Sequence, residues 1–305
     1  MVNKHANLDS LFNDIADAIR EKIGDESIIP AVDFPDVIRD RLEVAPPKPY
    51  LTFKSPNSFT LAVNDTTKHW NGTLEYSTDE STWTTWDGTT TLTSATKGSS
   101  NVLYMRGTGN TKIIGSSSKY KWVLTGSNIK CIGNIENLLD YATVTAGGHP
   151  TMSTACYYYM FSGCTALTQA PALPATNLAI FCYADMFRSC TSLTQAPALP
   201  ATTLADNCYY NMFYGCAALT QAPSLPATKL AKECYSGMFR GCTSIKLSST
   251  NTGEYTQEYR IPSSGTGTTA TDALTEMFIS TGGTFTGTPE INTTYYLSNT
   301  NTIVS

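Results

Sequence analysis

Eight cysteines fall on a grid. Cys156, Cys182, Cys208 and Cys234 recur every 26 residues, and Cys164, Cys190, Cys216 and Cys242 follow each of them by eight. Thiols can pair as disulfides, hold zinc or fill a core. Zinc favours close pairs such as C-x2-C; here the spacing is C-x7-C, and His5, His69 and His149 all lie outside the repeats. Disulfide frameworks belong to exported chains, whereas Met1-Val2-Asn3-Lys4-His5-Ala6-Asn7 does not read as a signal peptide. Two columns of buried thiols, each a small apolar side chain, are the expected arrangement. No metal and no other cofactor is expected.

Carboxylates supply the second possible chemistry. Glu75, Asp79, Glu80 and Asp87 are close in sequence, and a carboxyl pair is what glycosidic cleavage needs. They fall on turns of a strand-rich segment, however, and no Ser or Cys nucleophile shares a recognisable context with a histidine. No catalytic residue is assigned, and the chain is not expected to be an enzyme.

The elements that must position these residues are set by the repeat. Its four copies, 156–181, 182–207, 208–233 and 234–259, each read C-Y-x-x-M-F-x-x-C, and the first two continue L-T-Q-A-P-A-L-P-A-T. A fixed period in this range marks units that stack and do not fold alone. The steps of four from Cys156 to Met160 to Cys164 suggest a short helix with one inward face, Phe161 beside it. Pro171 and Pro174 make the following segment extended. Stacking then lines up Met160, Met186, Met212 and Met238, and Phe161, Phe187, Phe213 and Phe239. The pair Met277-Phe278 echoes the motif and predicts a degenerate last coil.

Before the repeats, Leu51–Phe53, Phe59–Val63, Leu74–Ser77, Trp83–Trp86, Val102–Arg106 and Lys121–Leu124 alternate like short strands between turns such as Asn71-Gly72 and Asp87-Gly88. All four tryptophans, Trp70, Trp83, Trp86 and Trp122, fall in this stretch, as core or as a carbohydrate platform. Ala45-Pro46-Pro47-Lys48-Pro49 is a stiff connector. Upstream of it, Leu8, Leu11, Phe12, Ile15 and Ile19 form one apolar stripe of a helix over 7–23, with a second short helix at 33–42. Two such helices hold too little apolar area for a core of their own, so the stripe is expected to dock on an assembly.

The expected architecture is an α+β multidomain chain. It comprises a short N-terminal helical anchor (1–45) for attachment and oligomerisation, a small antiparallel β-sandwich (46–126), and a leucine-rich-repeat-like solenoid with a C-terminal cap (127–305). Composition narrows the partners. The net charge is -5 with only 15% charged residues, so nucleic-acid binding is not expected. No apolar run reaches the roughly 20 residues of a membrane span, so membrane insertion is not expected either.

The repeat text C-Y-x-x-M-F-x-G-C-T-x-L-T-x-A-P-x-L-P-A-T resembles the 26-residue leucine-rich repeats of BspA-type surface proteins of gut bacteria and their bacteriophages. The segments Leu74–Gly88 and Thr281–Tyr296 look like flanking elements of the same proteins, and Leu11–Gly24 with Asp33–Ile38 is similar to the start of phage structural proteins. The resemblance implies a phage virion protein, a head or tail fibre. It would be made in the host cytoplasm without a signal peptide, held to capsid or tail proteins through residues 1–45, and displayed on the virion surface. A homo-oligomer is expected. Its ligand would be a host-surface glycan or protein, met by residues that vary between copies: Tyr158, Tyr159, Asp185, Arg188, Tyr210, Tyr214 and Arg240. A bacterial surface adhesin and a purely architectural capsid decoration remain alternatives.

Overall fold

A computed structural model describes residues 48–115, 117–262 and 272–305. The helices expected at 7–23 and 33–42, with Leu8, Leu11, Phe12, Ile15 and Ile19, lie outside the described residues, as does the loop around Ser263-Ser264-Gly265. Pro49–Ser305 forms one compact unit.

Each strand expected before the repeats is present, and alternation decides its facing. In β1 (Leu51–Ser55), Leu51, Phe53 and Ser55 turn inward. β1 lies between β7 (Ser100–Thr108) and β9 (Ile129–Ile132), antiparallel to both. β7 also pairs with β3 (Thr73–Ser77) and β6 (Ala95–Lys97), and β3 with β4 (Thr84–Thr85). A second sheet orders β5 (Leu92–Thr93), β2 (Thr60–Val63) and β8 (Trp122–Thr125). The single α-helix among the described residues, α1 (Asn137–Thr145), lies against β7. Gly107 permits that approach, because a Cβ there would sit 1.7 Å from the Leu138 carbonyl oxygen. Asp140 breaks the helical dihedrals of α1, and its carboxylate accepts from the Thr143 N–H at 2.9 Å and the Gly109 N–H at 3.0 Å.

The repeats depart from expectation. Cys156, Met160 and Cys164 are all buried, yet the segment is a chain of turns and not a helix. Every fourth residue is left-handed: Ala155, Tyr159 and Gly163 around the start of the first copy have φ of 59°, 59° and 77°, and Phe181, Asp185 and Ser189 around the start of the second have 55°, 52° and 58°. Backbone bonds alternate to match. Between Tyr157 and Cys164, even-numbered residues close their own turn, as Met160 N–H does to Tyr157 C=O at 3.1 Å, and odd-numbered ones donate to the next copy, as Tyr157 does to Cys182 C=O at 3.0 Å and Phe161 to Met186 C=O at 2.9 Å. A four-residue turn unit thus produces the spacing that resembles a helical face.

The expected α+β class with a leucine-rich-repeat-like solenoid is therefore corrected. The described residues are mostly β and turn, in several small sheets. A solenoid of that kind needs one parallel strand per copy in a continuous ladder. Here the proline-rich segments form no continuous ladder among the described residues: they meet at isolated bridges, Gln169↔Gln195 and Asn177↔Thr203, and at single bonds such as Thr194 N–H to Thr168 C=O at 3.2 Å, because each proline lacks the N–H that a ladder requires. Nor is the expected sandwich purely antiparallel: β10 (Leu167–Gln169), from the first copy, joins its larger sheet parallel to β9.

Aromatic columns fill the stack. Phe161, Phe187, Phe213, Phe239 and Phe278 follow one another with ring centroids 5.6–5.8 Å apart. Tyr157, Tyr183, Tyr209 and Tyr235 form a parallel column at 5.5–5.9 Å. Each such side chain contributes roughly 1.5–3 kcal/mol on burial. Both ends of the phenylalanine column turn edge-on, which ends the repeat geometry. Trp122 and Phe53 meet Phe161 at 5.9 and 6.2 Å; Tyr259 and Phe285 meet Phe278 at 6.2 and 6.4 Å. Residues 272–280 take the position of a fifth copy, accepting through Ala273, Thr275, Met277 and Ile279 from the fourth.

The C-terminal residues do more than cover an end. β12 (Lys246–Ser248), β13 (Tyr255–Arg260), β14 (Gly282–Gly283) and β15 (Thr294–Ser298) form one sheet. β16 (Thr302–Val304) runs back along the third copy, parallel to β11 (Gln221–Pro223). Asn301 Nδ2 ties the copies there, donating to Thr220 C=O at 3.0 Å and Ser244 C=O at 2.8 Å.

Candidate recognition face on the repeat stack

The residues that vary between copies divide by backbone conformation. Tyr159, Asp185, Asn211 and Gly237 occupy the left-handed position, with φ of 59°, 52°, 49° and 60°. Phe181, Asn207 and Glu233 occupy the preceding one. Asn, Asp and Gly tolerate this conformation best, so part of the variation reflects turn chemistry. Asp185 and Asn211 are buried and cannot be displayed.

The remaining candidates converge on one row. The Tyr158 ring meets Tyr159 edge-on at 4.6 Å and Phe181 at 6.0 Å. Asp185 Oδ1 accepts from Arg188 Nη1 at 3.0 Å. The Arg188 guanidinium lies 4.2 Å from the Tyr214 ring centre, and Arg240 approaches the same ring at 5.5 Å. Arg240 also pairs with Glu276. Tyr210 is half-buried, and its carbonyl accepts from the Asp185 N–H at 2.7 Å. The row is thus a half-exposed ladder of tyrosine rings and guanidinium planes, worth roughly 0.5–2 kcal/mol per cation–ring contact.

Burial dominates its electrostatics. It pushes the Tyr159 hydroxyl up to about 12, with the Asp185 charge adding to the shift. Tyr158 is raised for the same two reasons in the same order. Burial also raises the Asp185 carboxyl, against the opposing bond and charge of Arg188.

The thiols are free and buried, all nine of them. Those of the second column reach across copies: Cys190, Cys216 and Cys242 Sγ donate to the carbonyls of Phe161, Phe187 and Phe213 at 3.1, 3.1 and 3.0 Å. Each of those carbonyls already accepts one backbone N–H, from Cys164, Cys190 and Cys216 respectively, and the thiol occupies its second lone pair. Burial pushes the Cys164 thiol up to about 11 and Cys234 to about 12.

The four carboxylates considered for glycosidic cleavage are each engaged locally. Glu75 pairs with Arg106 at 2.8 Å and Glu80 with Lys97. Asp79 accepts from the Thr82 and Ser81 N–H groups, which hold it below the usual range. Asp87 is held low by the Thr89 hydroxyl and the Thr90 and Thr89 N–H groups. Three tryptophans are core: Trp70 stacks on Trp86 at 5.0 Å, and Trp86 meets Trp122 edge-on at 5.6 Å. Trp83 is half-buried under the Arg106 guanidinium, 4.0 Å from its ring centre.

Two features escaped sequence reasoning. One is the tyrosine column, although Tyr follows the first Cys in every copy. The other is a buried acid, Glu136, joined to His149 at 2.8 Å; its only sequence signal is a lone carboxylate inside Ile135–Leu139. Compared with family models, curated proteins and solved structures, the chain finds no match in any of the three.

Proposed function

We propose that the chain is a phage virion structural protein, a head or tail fibre, whose repeat stack carries an adhesive face for a host-surface glycan or protein. The observation that carries this reading is the row Tyr158, Tyr159, Arg188, Tyr214 and Arg240. Its rings and guanidinium groups are fixed by neighbouring copies yet remain half-exposed, and tyrosine and arginine anchors on rigid supports are favoured at recognition surfaces. The sequence resemblance supplies the virion context. Residues 1–45 attach the protein to capsid or tail, and the assembled protein is a homo-oligomer.

Purified full-length protein should bind host cells and compete with virions for them, and Tyr214→Ala combined with Arg240→Ala should weaken binding at least tenfold without changing the melting temperature by more than a few degrees. Equal binding by the double variant would remove the face from the account. Cryo-electron microscopy of the virion tests the context: repeats pointing outward support it, and residence at a bacterial envelope overturns it. Architectural decoration is favoured by one specific observation, that Arg188 and Arg240 already have acidic partners in Asp185 and Glu276. Virions carrying the double variant with undiminished adsorption would select that reading.

A further inference from the structure

Where the first copy meets the segment preceding it, a half-open cleft of about 370 Å³ is lined by Glu136, His149, Met152, Thr176, Asn177 and Leu178, among others. Glu136 is fully buried. Its position is fixed from both sides: its N–H donates to Asn134 Oδ1 at 2.8 Å, and the preceding Ile135 N–H donates to Ala172 C=O at 3.1 Å. The two carboxylate oxygens are not equivalent. Oε2 pairs with His149 Nδ1 at 2.8 Å, whereas Oε1 is buried without a hydrogen-bonding partner. Buried acceptors of this kind are rare because desolvation is costly, and here one belongs to a residue that lines a cleft.

The chemistry of the lining narrows the guest. A carboxylate oxygen only accepts, so the guest must donate an O–H or N–H. One carboxylate and one imidazole fall short of the donor set of a structural metal site, and no cluster of three ligating side chains occurs among the described residues. The volume sits near the lower end of the ~300–1,000 Å³ typical of small-molecule sites, which suits a single ring and far exceeds one water. Met152, Leu178 and Ala179 supply apolar surface beside Glu136 and His149, while Thr176 and Asn177 stand exposed at the rim. A pyranose matches both halves, presenting a C–H face and adjacent hydroxyls.

We propose that this cleft is a monosaccharide subsite. It takes one neutral pyranose unit, with one hydroxyl donating to Glu136 Oε1 and a neighbouring hydroxyl bonding His149 Nε2, the ring nitrogen that does not face Glu136. The subsite is distinct from the tyrosine–arginine row and stands whether or not the chain is carried on a virion.

The test uses the full chain and a panel of methyl glycosides of glucose, galactose, mannose, N-acetylglucosamine and N-acetylgalactosamine, followed by saturation-transfer NMR together with the His149 ring protons. At least one glycoside should receive saturation and shift His149 while leaving His69 in place. Glu136→Gln should weaken that glycoside about tenfold, since a charge-assisted bond is lost. Should Glu136→Gln fail to fold, Thr151→Trp fills the opening from an exposed rim position; it should abolish saturation transfer and keep the wild-type melting temperature. Saturation that persists in a folded Thr151→Trp variant overturns the assignment. A response to n-butylamine with none to any glycoside would assign the carboxylate to a cationic guest and overturn it. Silence from both probe types would leave only water in the cleft and overturn it equally.

Discussion

The sheet region, 49–115 with 117–132, and the repeat stack, 155–262 with 272–280, solve the same backbone problem differently. In the sheets, hydrogen bonds join segments far apart in sequence, as β1 to β7 and β9, around a core in which Trp70, Trp86 and Trp122 each occur once. In the stack, N–H groups between the two cysteines of each copy alternate between their own turn and the next copy, and the core repeats as columns. Stability in the sheets is therefore global, whereas in the stack it is a sum of contacts between adjacent copies. The stack needs a specialised residue at each end, and the edge-on contacts of Trp122 and Tyr259 supply it.

The largest effect should come from interrupting a column. Phe187 stacks between Phe161 and Phe213, and Phe187→Ala should cost about 3–5 kcal/mol. It should also broaden the urea transition, as copies on either side of the gap lose their coupling. Trp86→Ala, in the sheets, should lower the midpoint with an unchanged slope. Equal slopes for the two variants would break the comparison.

Next in size are the left-handed turns. At Gly237 a Cβ would lie 2.1 Å from Asn211 Oδ1, whereas at Gly215 its nearest neighbour, Ser189 Oγ, is 3.5 Å away. Gly215→Ala should cost only the conformational term, about 1–2 kcal/mol. Gly237→Ala should cost a further ~1–3 kcal/mol for overpacking, and that excess should vanish in an Asn211→Gly background. Chemical denaturation of the four proteins measures the coupling directly.

Thiol chemistry sharpens the contrast between buried column and solvent. Because burial raises Cys164 to about 11 and Cys234 to about 12, native protein at about pH 8 should leave its thiols unmodified by Ellman's reagent, as thiolate is the reactive form. All nine should react after unfolding. Cys190→Ala should cost about 1–2 kcal/mol through the lost bond to Phe161 C=O and lost packing.

The smallest effect is a pH slope. Asp185 is raised by burial in the folded state, so between its unfolded and folded pKa values the native protein binds more protons than the unfolded one. Its contribution to stability is therefore most favourable below the ordinary carboxylate pKa and falls as pH rises through the folded value. Asp185→Asn, which keeps a side chain tolerant of the left-handed turn, should flatten this part of the acid profile by less than about 1 kcal/mol.

Much of the molecule was legible in the residues alone. The period of 26, the burial of Met160, Phe161 and both cysteine columns, the six strands before the repeats and the echo at Met277-Phe278 follow from pattern, because buried positions must recur wherever the same packing recurs. The conformation of the repeat did not follow. A step of four reads as a helix when only apolar residues are counted; a turn unit of four buries the same residues, and the deciding signal was Gly, Asn and Asp at Gly163, Asp185, Asn211, Gly237 and Gly241, which satisfy positive φ. Nor could the sequence show that Asp185 would be buried while Arg188, three residues on, stacks on Tyr214 from the next copy, since that contact exists only between copies. The partnership of Glu136 with His149, and the cleft beside them, likewise depend on bringing Asn177 and Leu178 against a segment some forty residues earlier. Pattern along the chain determined which residues turn inward; only the tertiary structure decided by what backbone they do so and which side chains meet, because meeting is set by the register between copies and sheets, a property no single segment carries.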